Sequence, residues 1–409
     1  MIEGVRDIDP VAALRHGGRD VLSLALMRAR NRTLQWLAAF EAAGDPAPPA
    51  DLDRFSPARW LAGHAGWYQE YWIARHVQRT RGAGADAGGV RLASIEPQAD
   101  RWWDPAQSRA AERWAMDLPD AATVRGWLAQ TFDTTLELLA GAGDGDEALH
   151  AFRAALHHET CLDERFAVLA MACGLPPAPA DLRPPLRAAR APVGLPARRW
   201  LLGSARGGFV PQAEQWAHEV ELPGSEIDAQ AVSWAQFAEF VEDGGYDDRR
   251  CWTDEGWAWL QAQSAAHGPR CPRYVEQVRR GVAMREGGRL ARLPSSQAAR
   301  HVSAHEADAW CRWAGRRLPT EAEWECAAST AAGRGFAWGD VWEWVAGRAR
   351  FFPGHGPRAT PPQRAPSAGD RVLRGASWLT AAALRHPKAR RFAAADRDDL
   401  FCGFRSCAF

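Results

Sequence analysis

The chain has 409 residues, 46% of them apolar and 24% charged, which is enough for two buried cores and too rich in aromatics for a disordered chain. Its 50 basic and 50 acidic side chains balance, although arginine heavily outnumbers lysine. That balance predicts no general pull toward nucleic acid or an anionic membrane, and no apolar run is long enough to span a bilayer. Eight cysteines with no secretory leader and no zinc-type CxxC pair predict reduced thiols in a cytoplasmic protein.

Residues 1–175 read as a helical domain. Leu22, Leu26, Ala29, Thr33, Trp36, Leu37 and Phe40 recur at intervals of three and four, as one buried face of a long helix requires. Ser56-Pro57 predicts a capped start ahead of Trp60, Leu61, His64, Trp67, Tyr68 and Tyr71, with serine accepting orphan backbone donors and proline already set for the first turn. A third helix is predicted over 121–140 and a fourth over 146–173. An irregular crossing at 79–119 completes the pattern of a four-helix bundle.

Residues 176–200 carry Pro176, Pro177, Pro179, Pro184, Pro185, Pro192 and Pro196, so they read as a linker. Residues 201–409 have short apolar segments, many glycines and tryptophans, and two clear helices, Trp234–Val241 and Ala304–Trp313. A second, irregular mixed domain follows, and the whole chain reads as α+β.

Four ordered motifs in this half carry a family resemblance: Arg316-Arg317-Leu318-Pro319-Thr320-Glu321-Ala322-Glu323-Trp324-Glu325, Gly339-Asp340-Val341-Trp342-Glu343-Trp344, Val372-Leu373-Arg374-Gly375-Ala376-Ser377 and Gly403-Phe404-Arg405. They resemble the signatures of the formylglycine-generating-enzyme fold, which implies a C-type-lectin-like domain. The segment from Gly63-His64-Ala65-Gly66-Trp67 to Trp72 resembles the first metal-ligand helix of a DinB-like four-helix bundle. Together the two halves resemble the ergothioneine sulfoxide synthases. Asp243-Gly244-Gly245-Tyr246, Trp252-Thr253-Asp254-Glu255-Gly256-Trp257, His386-Pro387-Lys388-Ala389-Arg390-Arg391-Phe392 and Arg397-Asp398-Asp399-Leu400-Phe401 place the resemblance nearest the selenoneine synthase branch.

The resemblance implies Fe(2+) on three neutral histidines, with open positions for a thiol or selenol and for oxygen. His64 on the second helix and His158 on the fourth match two of the three positions. The third, four residues beyond His158, is Leu162, which cannot ligate. Cys161 is three residues from His158 and four from His157, within reach of the same neighbourhood on a helix. Asp163 or Glu164 offers a carboxylate instead. The bland alternative is a bundle that has lost its metal, with His64 and His158 kept as hydrogen-bonded core groups.

A second departure lies beyond Trp342-Glu343-Trp344. The family places a proton-donating tyrosine in the following loop, whereas here it reads Arg350-Phe351-Phe352-Pro353-Gly354. Phe351 and Phe352 supply shape but no proton, which leaves Tyr68 and Tyr71 as possible substitutes. Hercynine, the betaine substrate that the resemblance implies, asks for aromatic faces around a quaternary ammonium and for arginine on a carboxylate. Trp67, Trp342 and Trp344 offer the first, with core packing as their ordinary role. Arg374, Arg397 and Arg405 offer the second, although Arg405 serves equally as a lock within the fold, and Asp398 or Asp399 suits an ammonium or imidazole. Trp102 and Trp103 stand to border the same pocket.

The expected reaction joins the imidazole carbon of hercynine to selenium or sulfur from a selenosugar or thiol donor, using oxygen. The alternatives are a metal-poor binding or scaffold relative and a thiol-oxidising enzyme with another substrate. A hydrolase is disfavoured, because no Gly-x-Ser-x-Gly elbow occurs.

Overall fold

The computed structural model describes residues 9–44, 46–178, 182–265, 270–356 and 365–409. Pro179 of the predicted linker lies outside the described residues.

The helical half comprises α1 (Pro10–His16), α2 (Arg19–Ala42), α3 (Ala58–Gln69), α4 (Ala99–Trp103), α5 (Ala121–Ala140) and α6 (Asp146–Ala172). The predicted apolar stripe of α2 is buried at Leu22, Leu26, Thr33, Trp36, Leu37 and Phe40. Packing of α2 on α6 and of α3 on both α5 and α6 builds the bundle. The start of α3 differs from expectation: Pro57 occupies the cap position and no side chain caps it. Ser56 instead accepts a hydrogen bond from Arg113 at 2.9 Å. At its other end α3 runs into a single π turn, Glu70–Ala74. The crossing at 79–119 is irregular, as predicted, and its short helix α4 packs on α3.

The second half begins with β1 (Val193–Leu195), β2 (Arg198–Leu202), β3 (His218–Leu222) and β4 (Ser225–Ile227), paired β1 with β4 and β2 with β3. Helices α7 (Trp234–Glu242) and α8 (Asp254–Ala265) precede a small antiparallel sheet of β5 (Val275–Gln277), β6 (Ala283–Glu286) and β7 (Arg289–Arg292). Then come α9 (Ala304–Trp313), α10 (Glu321–Thr330), β8 (Trp342–Arg348), β9 (Asp370–Gly375), β10 (Arg390–Ala394) and β11 (Cys402–Phe404). The last four strands form one sheet in the order β10-β9-β8-β11, with β11 parallel to β8.

Two clear helices were expected here, and the structure adds α8 and α10. The start of α10 is fixed by Thr320 and Glu323, which exchange bonds with each other's backbone in a capping box; Ser303 and Glu306 do the same for α9.

A single buried apolar cluster runs from α2, α3, α5 and α6 into α7, α9 and the β8–β11 sheet. The two halves therefore share a core, and the face of α6 turned toward the sheet forms the wall of a composite cleft. No described helix is long and apolar enough to cross a membrane.

Candidate active site between the helical and sheet halves

Gly63 and Gly66 set the local architecture of α3. A methyl group at Gly63 would lie 2.0 Å from the indole nitrogen of Trp103, and one at Gly66 would lie 2.5 Å from that of Trp127. Two indoles therefore pack directly on the helix backbone, and the turn between them carries His64. Its imidazole is sandwiched between Trp60, 4.7 Å away by ring centroid, and Trp67, 5.5 Å away. Nδ1 lies 2.9 Å from the carbonyl oxygen of Trp103. A carbonyl only accepts, so the hydrogen sits on Nδ1 and the lone pair of Nε2 points away from it.

That lone pair meets His158. The two Nε2 atoms are 3.1 Å apart, and the His158 ring lies flat on Tyr68 with centroids 3.8 Å apart. Nδ1 of His158 has no hydrogen-bond partner among the described residues, so in the metal-free protein a hydrogen on His158 Nε2 is free to bridge the pair. Burial holds the His64 imidazole far below its usual range, at about 3, and the nearby Arg165 and Arg113 charges push the same way against the Trp103 carbonyl. Burial lowers His158 as well, reinforced by His64 and Arg165. Both rings are therefore neutral at neutral pH, the state in which imidazole binds a metal. Burial also keeps the Tyr68 phenol protonated.

The neighbouring Glu159 fixes the register of α6. Its carboxylate accepts from Arg30 at 2.8 and 3.2 Å, from Thr33 at 2.9 Å and from Gln69 at 2.7 Å, tying α2 and α3 to α6.

A third donor is not brought to this pair. Leu162 is buried at 1% exposure. The Cys161 sulfur lies 3.8 Å from Nε2 of His157, whose ring rests near Phe209, and burial pushes this thiol up to about 11. Asp163 is held by Arg32 and Trp36. Glu164 points into the other half: both its oxygens accept from the Trp342 indole at 3.0 Å, and one also accepts from Ser377 at 2.7 Å. Among the described residues no group of three His, Cys, Asp or Glu side chains is placed to share an ion. As a metal site the residues therefore supply two neutral nitrogens, chemically suited to a divalent transition metal but one short of a protein triad.

A cleft of about 470 Å³ opens between the halves, lined in part by His157, Cys161, Glu164, Arg165, Trp342 and Arg391; His64 and His158 lie behind this lining. Trp342 thus faces both Glu164 and the cleft, whereas Trp344 is fully buried and donates to the Val302 carbonyl at 2.8 Å. Arg374 and Arg405 lie away from the cleft lining. Arg374 is buried against Glu325 at 2.5 Å, and Arg405 grips Glu343 at 2.5 and 2.7 Å. Arg397 lines the cleft with its guanidinium clamped on Asp399 at 2.6 Å. Asp398 and Asp399 both pair with Arg54 from the helical half, at 3.0 and 3.1 Å, and Asp398 also pairs with Arg273 at 3.0 Å. These acids hold the two halves together. Phe351 stacks on His355, while Phe352 packs under Arg390 near His218. Tyr71 stacks on Trp67, and Trp67 donates to Asp100 at 2.7 Å. Of the proposed phenols, Tyr68 is the one in ring contact with a histidine of the pair. Sequence reasoning passed over Glu159, Arg113 and Arg165, because single charged residues on helices and loops ordinarily face water.

Residues 193–340 match the sulfatase-modifying factor enzyme 1-like domain family. The chain is 29% identical over 449 residues to hercynine oxygenase of Mycolicibacterium smegmatis, covering 95% of this chain and 98% of that one. It is 29% identical over 436 residues to hercynine oxygenase of Mycobacterium tuberculosis, covering 94% and 97%. The chain is homologous to the hercynine oxygenases. That homology spans both α3 and α6 as well as the sheet half. A stretch covering 42% of this chain is 37% identical over 186 residues to formylglycine-generating enzyme of Streptomyces coelicolor, covering 58% of that one. The architecture is accordingly a helical region followed by a β-containing domain of the sulfatase-modifying-factor type.

Proposed function

We propose that the chain is an oxygen-dependent enzyme that joins selenium or sulfur to the imidazole carbon of hercynine or a close analogue, with ferrous iron held by His64 and His158. The observation that carries this reading is the pair of neutral imidazoles whose Nε2 atoms meet at 3.1 Å, in a chain homologous throughout to hercynine oxygenases. When bound, iron would supply coordination for the chalcogen donor and activation of oxygen. The protein's own part is positional. The Trp103 carbonyl fixes the His64 tautomer, and Trp60 and Trp67 hold its ring plane. Tyr68, flat against His158, is the phenol best placed to hold a proton in the role that Phe351 and Phe352 cannot fill. Trp342, anchored by Glu164, offers an aromatic face to the quaternary ammonium. The donor is read as a selenosugar, by the resemblance to selenoneine synthases, or as a thiol.

The buried Leu162 favours a second reading, a relative that has lost its metal and keeps the cleft for binding alone. Anaerobic titration with ferrous iron separates the two. His64→Ala and His158→Ala should each weaken binding at least tenfold, and Leu162→His should tighten it. Affinity unchanged from that of the unaltered protein in both alanine variants, or no binding by the unaltered protein, would leave the scaffold reading.

A further inference from the structure

Seven arginines and three carboxylates line the cleft: Arg15, Arg54, Arg113, Arg165, Arg390, Arg391 and Arg397 against Asp53, Glu164 and Glu214. Most of these arginines are neutralised. Arg15 pairs with Glu214 at 2.8 Å, Arg390 with Glu321 at 2.6 Å, Arg397 with Asp399 at 2.6 Å and Arg391 with Glu164 at 3.5 Å, while Arg54 is surrounded by four aspartates. Two are not. Arg113 is held by neutral oxygens, Ser56 Oγ at 2.9 Å and the Ser108 carbonyl at 2.8 Å, with its guanidinium 3.6 Å above the Trp60 ring that stacks on His64. Arg165 has neither a hydrogen bond nor an ion pair among the described residues. It is exposed and lines the cleft, so its guanidinium is open to a ligand there. Its charged neighbours include Arg391 and Arg397.

An unpaired guanidinium open to a cleft, with other arginines beside it, attracts an anionic ligand and can make charge-assisted hydrogen bonds to it. The position of Arg165 on α6 says which part of a ligand it would meet. His158, Cys161 and Arg165 are spaced three and four apart, so they form one stripe, and two turns of helix separate the first from the last by about 10 Å along the axis. Helical side chains lean toward the N-terminus, which carries the Arg165 guanidinium back toward His158.

We propose that Arg165, flanked by Arg113, is the carboxylate anchor of the cleft, fixing a histidine-sized anion so that its imidazole reaches the His64/His158 pair. The choice of hercynine as that anion rests on the proposed function; the anchor itself rests on the charge arrangement.

Calorimetric titration of the metal-free protein tests the anchor with three probes: hercynine, its decarboxylated analogue trimethylhistamine, and imidazolepropionate, which keeps the carboxylate but lacks the ammonium. Arg165→Gln should weaken hercynine binding about tenfold or more, as loss of a charge-assisted contact does. It should leave trimethylhistamine binding unchanged, and Arg165→Lys should recover part of the loss. The ligand-free Arg165→Gln protein should melt no lower than the unaltered protein, because no partner is lost. Hercynine binding that is indifferent to Arg165→Gln, or equal losses for hercynine and trimethylhistamine, would overturn the anchor. If hercynine does not bind but imidazolepropionate binds through Arg165, the hercynine reading fails and the anchor stands. If neither carboxylate needs Arg165, the anchor fails.

Discussion

Buried histidines in this protein differ in what surrounds them, and His301 isolates the simplest case. It is fully buried, and burial holds it at about 3. An unfolded chain takes up a proton at this position near 6.5, whereas the folded one waits until about 3, so between those values the unfolded state binds more protons. Stability should therefore fall as pH drops from 6.5 toward 3. His301→Asn removes one such group, and asparagine tolerates the positive φ of 62° at this position. Urea unfolding at pH 4 to 6 should show a shallower loss in this variant, by up to about 1.4 kcal/mol per pH unit. An unchanged slope would mean that His301 is not protected in this way. His64 and His158 have a second feature, two nitrogens turned toward each other on different helices. That these two residues meet was legible from the motifs around them. Arg165 was not, since a lone arginine on an amphipathic helix reads as a solvated residue until the opposing domain is in place.

At the level of single elements, α6 carries most of the site. Its bounds were legible from the turn signals on either side of it, and the apolar faces of α2 and α5 from sequence periodicity. The role of Glu159 was not, because its partners Arg30, Thr33 and Gln69 lie on two other helices. The side chains of the Arg30–Glu159 pair are 4% and 0% exposed. Removing one member of such a pair leaves a buried charge, at a cost of about 3–5 kcal/mol. Glu159→Ala should lose that much in urea unfolding, and a loss below about 1 kcal/mol would contradict the account of α6 as pinned by this carboxylate. In the second half, α10 begins at the spacing Thr320-x-x-Glu323, a capping-box signal present in the sequence that could have revealed the helix. For α8 the signal was weaker, since behind two leading acids its tryptophans are mixed with small and polar residues without a clear apolar stripe; only Gly256 and Leu260 are buried.

The whole molecule matters because neither half contains the cleft. The helical half supplies His157, Cys161, Glu164 and Arg165, and the sheet half supplies Trp342, Arg391 and Arg397. Glu164 clasps Trp342 and Ser377 across the boundary, and Arg54 clasps Asp396, Asp398 and Asp399. Sequence motifs located the two halves, yet the contacts that join them depend on side chains more than 170 residues apart. The central claim is that this composite cleft supports oxygen-dependent chemistry on hercynine. Mass spectrometry of products from the full chain, loaded anaerobically with ferrous iron and then given hercynine, a selenosugar or thiol donor and oxygen, tests it most directly. The account predicts a product whose mass shows selenium or sulfur added to the hercynine imidazole. Recovery of all the hercynine unchanged, from protein shown to hold iron, would contradict it.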